Sequence, residues 1–297
     1  MQAFDWLVTY PWARHAMVTG VAVGLTCALL STLVVLRRMA FIGQGVSHAG
    51  FGGVGLATFL GFTGGMAMDA MLTGFCVAAA VGIGVLSRRG RLDADAAIGI
   101  VLAAAMAAGV LLTELSIELR SSGSEWYRWL AGELTRTPPG FERVLFGSLL
   151  GVGEREMWTA LGACGVVLAA LALGFRYVVY FGFDPAAARV AGVPTGAVYY
   201  LVLVLLAVTI VVSIRLVGVV LAAALLVIPG ATAMLLTRRL ATTLVAAAAV
   251  GVIGTAGGLL VSLEVGALST GPVIVGLLTL LFAAAWGVRR LRDARPR

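Results

Sequence analysis

The chain contains no lysine: all 21 of its basic residues are arginine, set against 14 acids and two histidines. A phosphate-binding loop of the GxxxxGK[ST] type needs a lysine to reach the terminal phosphates, so the chain is not itself a nucleotide-hydrolysing subunit of that kind. HExxH, GxSxG and comparable hydrolytic patterns are also missing, and two histidines leave little for metal-dependent catalysis, so no enzyme is expected. Cysteine is scarce. Cys27, Cys76 and Cys164 lie inside apolar runs without CxxC spacing, which reads as packing, with neither disulfides nor metal ligation. Charge is scarce too: 12% of the 297 residues are charged and 61% are hydrophobic, with a mean hydropathy of +1.04. No water-soluble core needs so much apolar surface. The net charge of +7 does not indicate nucleic acid, because the arginines sit at the ends of apolar runs instead of along one exposed stripe.

What is present is a series of apolar runs, at roughly 15–36, 39–61, 66–86, 94–115, 157–175, 197–214, 216–236, 240–262 and 268–287, each near the roughly 20 residues that a spanning helix requires. Nine crossings put the termini on opposite sides. With the Arg289–Arg297 tail inside, Arg37/Arg38, Arg88/Arg89/Arg91 and Arg238/Arg239 fall on the same side, as the positive-inside rule demands. Segments 87–93, 176–196 and 237–239 are then cytoplasmic, 116–156 is external, and the N-terminus is outside. The first run is no signal peptide: Asp5 and a lone Arg14 precede it, it is about 22 residues long, and it stops at Arg37/Arg38. The expected architecture is all-α, a polytopic membrane bundle of about eight or nine transmembrane helices in a single domain spanning 1–297.

Three runs carry helix-breaking residues. The second contains Gly43, Gly45, Gly50, Gly52, Gly53, Gly55 and Gly61, the seventh Pro229-Gly230, and the ninth opens Ser269-Thr270-Gly271-Pro272. Broken backbone at membrane depth is tolerated where it is buried in protein or lines a cavity; alternatively, small residues let helices approach closely. The external segment holds Trp126, Tyr127 and Trp129, a Thr137-Pro138-Pro139-Gly140 break, and an apolar run at 141–152 too short to cross. That run suits an interfacial or re-entrant position.

Gln44, Ser47 and His48 stand at i, i+3 and i+4 in the second run, spacing that places polar atoms on one helical face. An intramembrane imidazole is either a ligand for a transition metal, helped by a neighbouring amide or hydroxyl oxygen, or a hydrogen-bonded packing residue. Asp69, Glu114 and Glu264 fall near the external ends of runs and either charge an entrance or simply face water. In 176–196, Asp184 is a good N-cap, Pro185 suits the first helical position, and Gly192 followed by Pro194 ends what Ala186–Ala191 favours as helix.

Arg37-Arg38-Met39-Ala40-Phe41-Ile42-Gly43 running into Ser47-His48-Ala49 resembles the second-helix signature of the permease subunits of zinc, manganese and iron ABC importers. Asp95-Ala96-Ala97-Ile98-Gly99-Ile100, Leu145-Phe146-Gly147-Ser148, Phe183-Asp184-Pro185 with Ala188–Val193, and Leu216–Val219 through Ile228-Pro229 are similar to further blocks of that family, in order. The resemblance implies an importer-type permease of the bacterial inner membrane, contacting membrane lipid. It implies an ATPase partner that binds the ATP, a second permease chain, identical or not, and an extracytoplasmic substrate-binding protein. A divalent metal ion is then the transported substrate and no cofactor is held permanently.

It also implies that Asp184, Pro185, Arg189 and Gly192 belong to a coupling helix that docks on the ATPase, with Arg189 facing it; a generic connecting helix is the other reading. The chain departs from the family at Gln44, where an aspartate usually precedes the histidine by four residues. A neutral amide removes negative charge from a low-dielectric passage. A permease for a metal chelate, siderophore, haem or cobalamin therefore stays open beside the free metal ion. A secondary transporter would need an acid at mid-membrane, and a purely structural membrane protein would need no polar break in runs two and nine.

Overall fold

The computed structural model describes residues 6, 9–62, 65–89, 92–122, 151–265 and 269–293. Among these residues the chain is helical throughout, with no strand. The helices are α1 (Pro11–Leu36), α2 (Ala40–Phe59), α3 (Gly65–Arg89), α4 (Ala94–Ser121), α5 (Glu154–Leu173), α6 (Phe175–Phe183), α7 (Pro185–Val190), α8 (Thr195–Leu225), α9 (Ile228–Leu236), α10 (Leu240–Val265) and α11 (Thr270–Asp293). Among the described residues seven stretches are long and apolar enough to cross a membrane. One of them, Thr195–Leu236, is 42 residues long, about 60 Å of helix against a hydrocarbon core of about 30 Å, enough for two crossings. Helix α2, 20 residues long, is less apolar and adds a further membrane-length helix. The expected count of about eight or nine is met. Trp126, Tyr127, Trp129, the 141–150 part of the short apolar run and the Leu145–Ser148 block lie outside the described residues.

Contacts divide the chain into two compact units, Met1–Ala40, Glu142–Val198 and Val212–Arg297 in the first, Phe41–Phe141 and Tyr199–Val211 in the second. In the first unit α1 is apolar on every side and buries residues all round, the mark of an interior helix. It meets α10 closely: a Cβ built on Gly24 would stand 2.6 Å from Thr255, and one on Gly251 would stand 2.5 Å from the Ala28 Cβ. A Cβ on Gly230 of α9 would stand 2.6 Å from the Ser31 backbone. Small residues here replace the hydrophobic driving force that lipid cannot supply. Ser262 and Thr270 hydroxyls, 3.1 Å apart, join α10 to α11, and Cys27 Sγ lies 3.3 Å from Ser213 Oγ. All three cysteines are buried, as their setting in apolar runs predicts.

Two chain breaks fall elsewhere than Pro229-Gly230. Gly218 interrupts α8 with φ +83 and ψ 166, a conformation open to glycine alone. The second break is at Val227, the N-cap of α9, and Pro229 occupies the first turn, where its missing N–H costs nothing. The expectation of broken backbone is not met in runs two and nine. Helix α2 is continuous through its glycines, and Gly271-Pro272 sits in the first turn of α11.

In the second unit those glycines serve contact. A Cβ on Gly53 would lie 3.0 Å from the Leu72 Cα, and one on Gly55 would lie 2.7 Å from the Gly109 Cα. Gly45 sits against Ile98 in the same way, at 2.6 Å. Helix α2 is thereby held between α3 and α4 with backbones almost touching, and Cys76 Sγ reaches the Val46 carbonyl at 3.6 Å. The 199–211 stretch of α8 packs in this unit too: Tyr199 Oη is 3.0 Å from Ser87 Oγ on α3, and the Arg88 guanidinium lies over the Tyr199 ring, 5.4 Å from its centre.

Candidate functional site

Gln44, Ser47 and His48 do not share one face equally. Gln44 is exposed, His48 is half-buried and Ser47 is fully buried. At about 100° per residue, Gln44 and His48 lie some 40° apart around the helix while Ser47 is turned about 100° from His48. The open stripe is therefore Phe41, Gln44 and His48, and Phe41 is 61% exposed. Phe41 was not singled out in the sequence, although its i, i+3, i+7 spacing with the other two was visible there.

The imidazole is fixed by the helix that carries it. His48 Nδ1 lies 3.0 Å from the carbonyl oxygen of Gln44. A carbonyl only accepts, so Nδ1 carries the hydrogen of this bond, and in the neutral ring the lone pair then lies on Nε2, the nitrogen through which such a histidine ligates a metal. The Ser47 hydroxyl donates to the same carbonyl at 3.0 Å and stands 3.5 Å from Nδ1. The role of Ser47 is thus local: it and His48 saturate one backbone oxygen from the buried and the open side. The Phe51 ring, centred 6.0 Å from the imidazole, borders His48 one turn further on. With Gly45 pressed on Ile98 and Gly53 on Leu72, α2 has little freedom to rotate, and the Nε2 direction is set by packing.

The acids are carried by other helices, Asp69 by α3, Glu114 by α4 and Glu264 by α10. Asp69 is half-buried in the second turn of α3, and its backbone carbonyl accepts from Thr73 Oγ1 at 2.7 Å. From Asp69 to Arg88, at the other end of the same helix, is about 29 Å at 1.5 Å per residue, close to the thickness of the hydrocarbon core. Glu264 is exposed in the last turn of α10, whose other end follows Arg238/Arg239, and Glu114 is exposed on α4. Among the described residues no three of His, Cys, Asp and Glu come together as a metal cage.

The segment before α8 is built for display. Asp184 Oδ1 accepts from the backbone N–H of Ala186 at 2.8 Å and of Ala187 at 3.0 Å. These two bonds hold its carboxyl below the usual carboxylate range, since both favour the charged form. Pro185 takes the first helical position. The far end closes as a Schellman motif: Val193 N–H reaches the Ala188 carbonyl at 2.9 Å, Gly192 N–H the Arg189 carbonyl at 3.1 Å, and Gly192 has φ +78. Val193 and Ala188 are buried, completing the apolar contact of that motif. Ala186, Ala187, Arg189 and Ala191 are exposed and Val190 is 91% exposed. An apolar tip bearing one cation stands on a helix only six residues long.

The family profile described as "ABC 3 transport family" matches residues 9–288. The chain is 34% identical to the "Manganese transport system membrane protein MntC" of Halalkalibacterium halodurans over 95% of its own length and 89% of that protein's. It is 32% identical to the "Chelated iron transport system membrane protein YfeD" of Yersinia pestis, covering 97% of this chain and 89% of that one. Among solved structures it is similar to PsaBC from Streptococcus pneumoniae in complex with Fab, with TM-score 0.77 at 24% identity over 96% of this chain and 94% of the other.

Proposed function

The chain belongs to the ABC 3 transport family, and from that premise we propose how its parts work. It is the multi-pass membrane permease subunit of an ATP-driven metal-ion importer and is not itself an enzyme. Its cargo is a divalent transition metal, manganese, iron or zinc, carried inward by alternating access. Residues 1–297 act as one permease, with the N-terminus outside and the arginine-rich C-terminus in the cytoplasm, as the arginine clusters favour.

The ion passes the Phe41, Gln44 and His48 stripe, where Nε2 of His48 and the amide oxygen of Gln44 are the ligands. One imidazole without a fixed carboxylate binds weakly, which suits a passage that must release what it captures. A second permease chain facing the stripe supplies the remaining ligands, and Asp69 and Glu264 attract cations at the external face. An extracytoplasmic binding protein delivers the ion, and a separate ATPase subunit binds ATP and docks on α7.

The observation that carries this reading is α7 itself: capped at both ends, it presents Arg189 and a nearly fully exposed Val190 in the loop that the arginine pattern makes cytoplasmic. Ala186, Ala187, Val190 and Ala191 are exposed together beside that cation, an apolar surface that a groove on a motor protein would cover. The test is uptake of manganese, iron(II) and zinc into proteoliposomes holding the permease with and without its ATPase. ATP-dependent uptake that Val190→Glu abolishes, with the protein still inserted, supports the reading. Uptake by the permease alone overturns it. Neutral Gln44 favours one second reading, a chelate as cargo, and the same assay with chelated iron separates the two.

A further inference from the structure

We propose that the first unit holds one anionic phospholipid of the cytoplasmic leaflet in a cleft between α1, α5, α6 and α10. The cleft has a volume of about 220 Å³ and an almost wholly apolar lining that includes Leu33, Leu36, Leu171, Val178, Gly182 and Leu240. That exceeds the roughly 150 Å³ apolar cavity that stays dry and takes up benzene. Water has no partner in such a lining, but an acyl chain does.

Charge identifies which lipid. The cleft sits at the ends of its helices that carry arginine. Leu36 lines it and Arg37 and Arg38 follow directly, Leu240 lines it immediately after Arg238 and Arg239, and Arg176 stands between the lining Phe175 and Val178. No acid occurs in residues 29–40, 168–182 or 236–244. The nearest in sequence, Asp184, turns its carboxylate to its own helix N-terminus. Arg37 is already stacked on Phe181, 4.4 Å from the ring centre, which leaves the exposed Arg38, Arg238 and Arg239 for a phosphate. An apolar slot under a basic rim at the arginine-bearing end of the helices fits part of one acyl chain, with the phosphodiester at the rim and the rest of the lipid outside the cleft. Helix α6 suits the same depth: Phe175, Tyr177 and Tyr180 are about half exposed while Val178 and Phe181 are buried, the amphipathic aromatic pattern of an interfacial helix.

The test is native mass spectrometry of the purified transporter complex, delipidated and offered phosphatidylglycerol or phosphatidylcholine with identical acyl chains. Each arginine near an anionic group is worth roughly fivefold in affinity, so phosphatidylglycerol should be retained at least about fivefold better. The triple variant R38Q/R238Q/R239Q should lose that preference and keep weak binding of both lipids. Gly182→Leu, which fills the cleft from α6, should lose one bound lipid of either kind. Ala172→Leu, from the opposite wall, repeats this if Gly182→Leu does not assemble. Equal retention of both lipids by the wild type overturns the proposal, as does a preference that survives the triple variant or a lipid count unchanged by filling the cleft. If filling instead releases a protein subunit from the complex, the cleft is a protein interface and the proposal falls.

Discussion

Glycine does opposite jobs in α2 and in the loop that ends α7. In α2 the glycines are ordinary helical residues whose missing Cβ lets backbones meet. At Gly192 there is open space around the missing Cβ and what matters is φ +78. The first use makes a wall that does not yield and aims an imidazole. The second ends a helix abruptly so that its tip stands clear. The proposed metal passage needs fixed ligand geometry and the proposed coupling element needs an accessible surface, and the same residue type serves both because it lacks a side chain in two different senses.

The comparison is most sharply tested at Gly55 and Gly74. A Cβ at Gly55 would collide with the backbone of Gly109, whereas one at exposed Gly74 on α3 meets nothing within 4 Å. Backbone cannot rotate aside as a side chain does, so Gly55→Ala should cost about 1–3 kcal/mol and lower the melting temperature of the detergent-solubilised complex. Gly74→Ala should raise it, through a gain of up to about 1 kcal/mol, since alanine is the better helix former. If both substitutions act alike, close approach is not what holds α2.

His48→Ala leaves packing nearly intact, because the ring is half-buried and its hydrogen bonds and its contact with the Phe51 ring lie within its own helix. Metal uptake should fall at least about tenfold, the loss when a ligand worth ~1.4 kcal/mol is removed, while ATPase activity of the assembled complex persists. Unchanged uptake would make His48 a packing residue. Ser47→Ala should do far less, because its hydroxyl faces inward to the Gln44 carbonyl.

The effect at Gly192 should be smaller. Gly192→Ala places a Cβ in a left-handed conformation at a cost of roughly 1 kcal/mol, with no steric neighbour to add to it. ATP-coupled uptake should drop a few-fold without change in melting of the membrane helices, and Gly192→Asn should drop less, since asparagine tolerates that region. Equal losses would point to contact with the ATPase and away from backbone geometry.

These contrasts also mark what was legible in the sequence. The runs behind α1, α3, α4, α5, α10 and α11 follow from length and hydropathy, because lipid enforces both. The Asp184-Pro185 start and Gly192 stop of α7 were readable because capping is a local matter of a few backbone bonds. Gly218 was not read as a break: apolar residues flank it on both sides, so its immediate surroundings carry no break signal while φ and ψ both leave the helical region. The α2 glycines looked like breaks because sequence shows the missing side chain and not the neighbour that needs it missing. The inward turn of Ser47 is set by which face α3 and α4 cover, information that no i, i+3, i+4 spacing contains.

The smallest effect is expected at Asp184, and it is the one that pH can isolate. Its carboxyl is held below its ordinary value by two backbone N–H bonds, so the cap binds fewer protons in the folded segment than in an unfolded one. By linkage its contribution is fully present above the ordinary value near 3.8 and is lost as pH falls through the lowered one. At neutral pH the cap is therefore complete and insensitive to small pH changes. In acid, hydrogen exchange at the Ala186 and Ala187 amides should speed up beyond the general trend of the protein, and Asp184→Asn, a cap that does not titrate, should remove that extra acceleration. If the variant and the wild type lose protection together, the carboxylate is not what starts α7, and the sharpness of its display must come from Pro185 and the Gly192 closure.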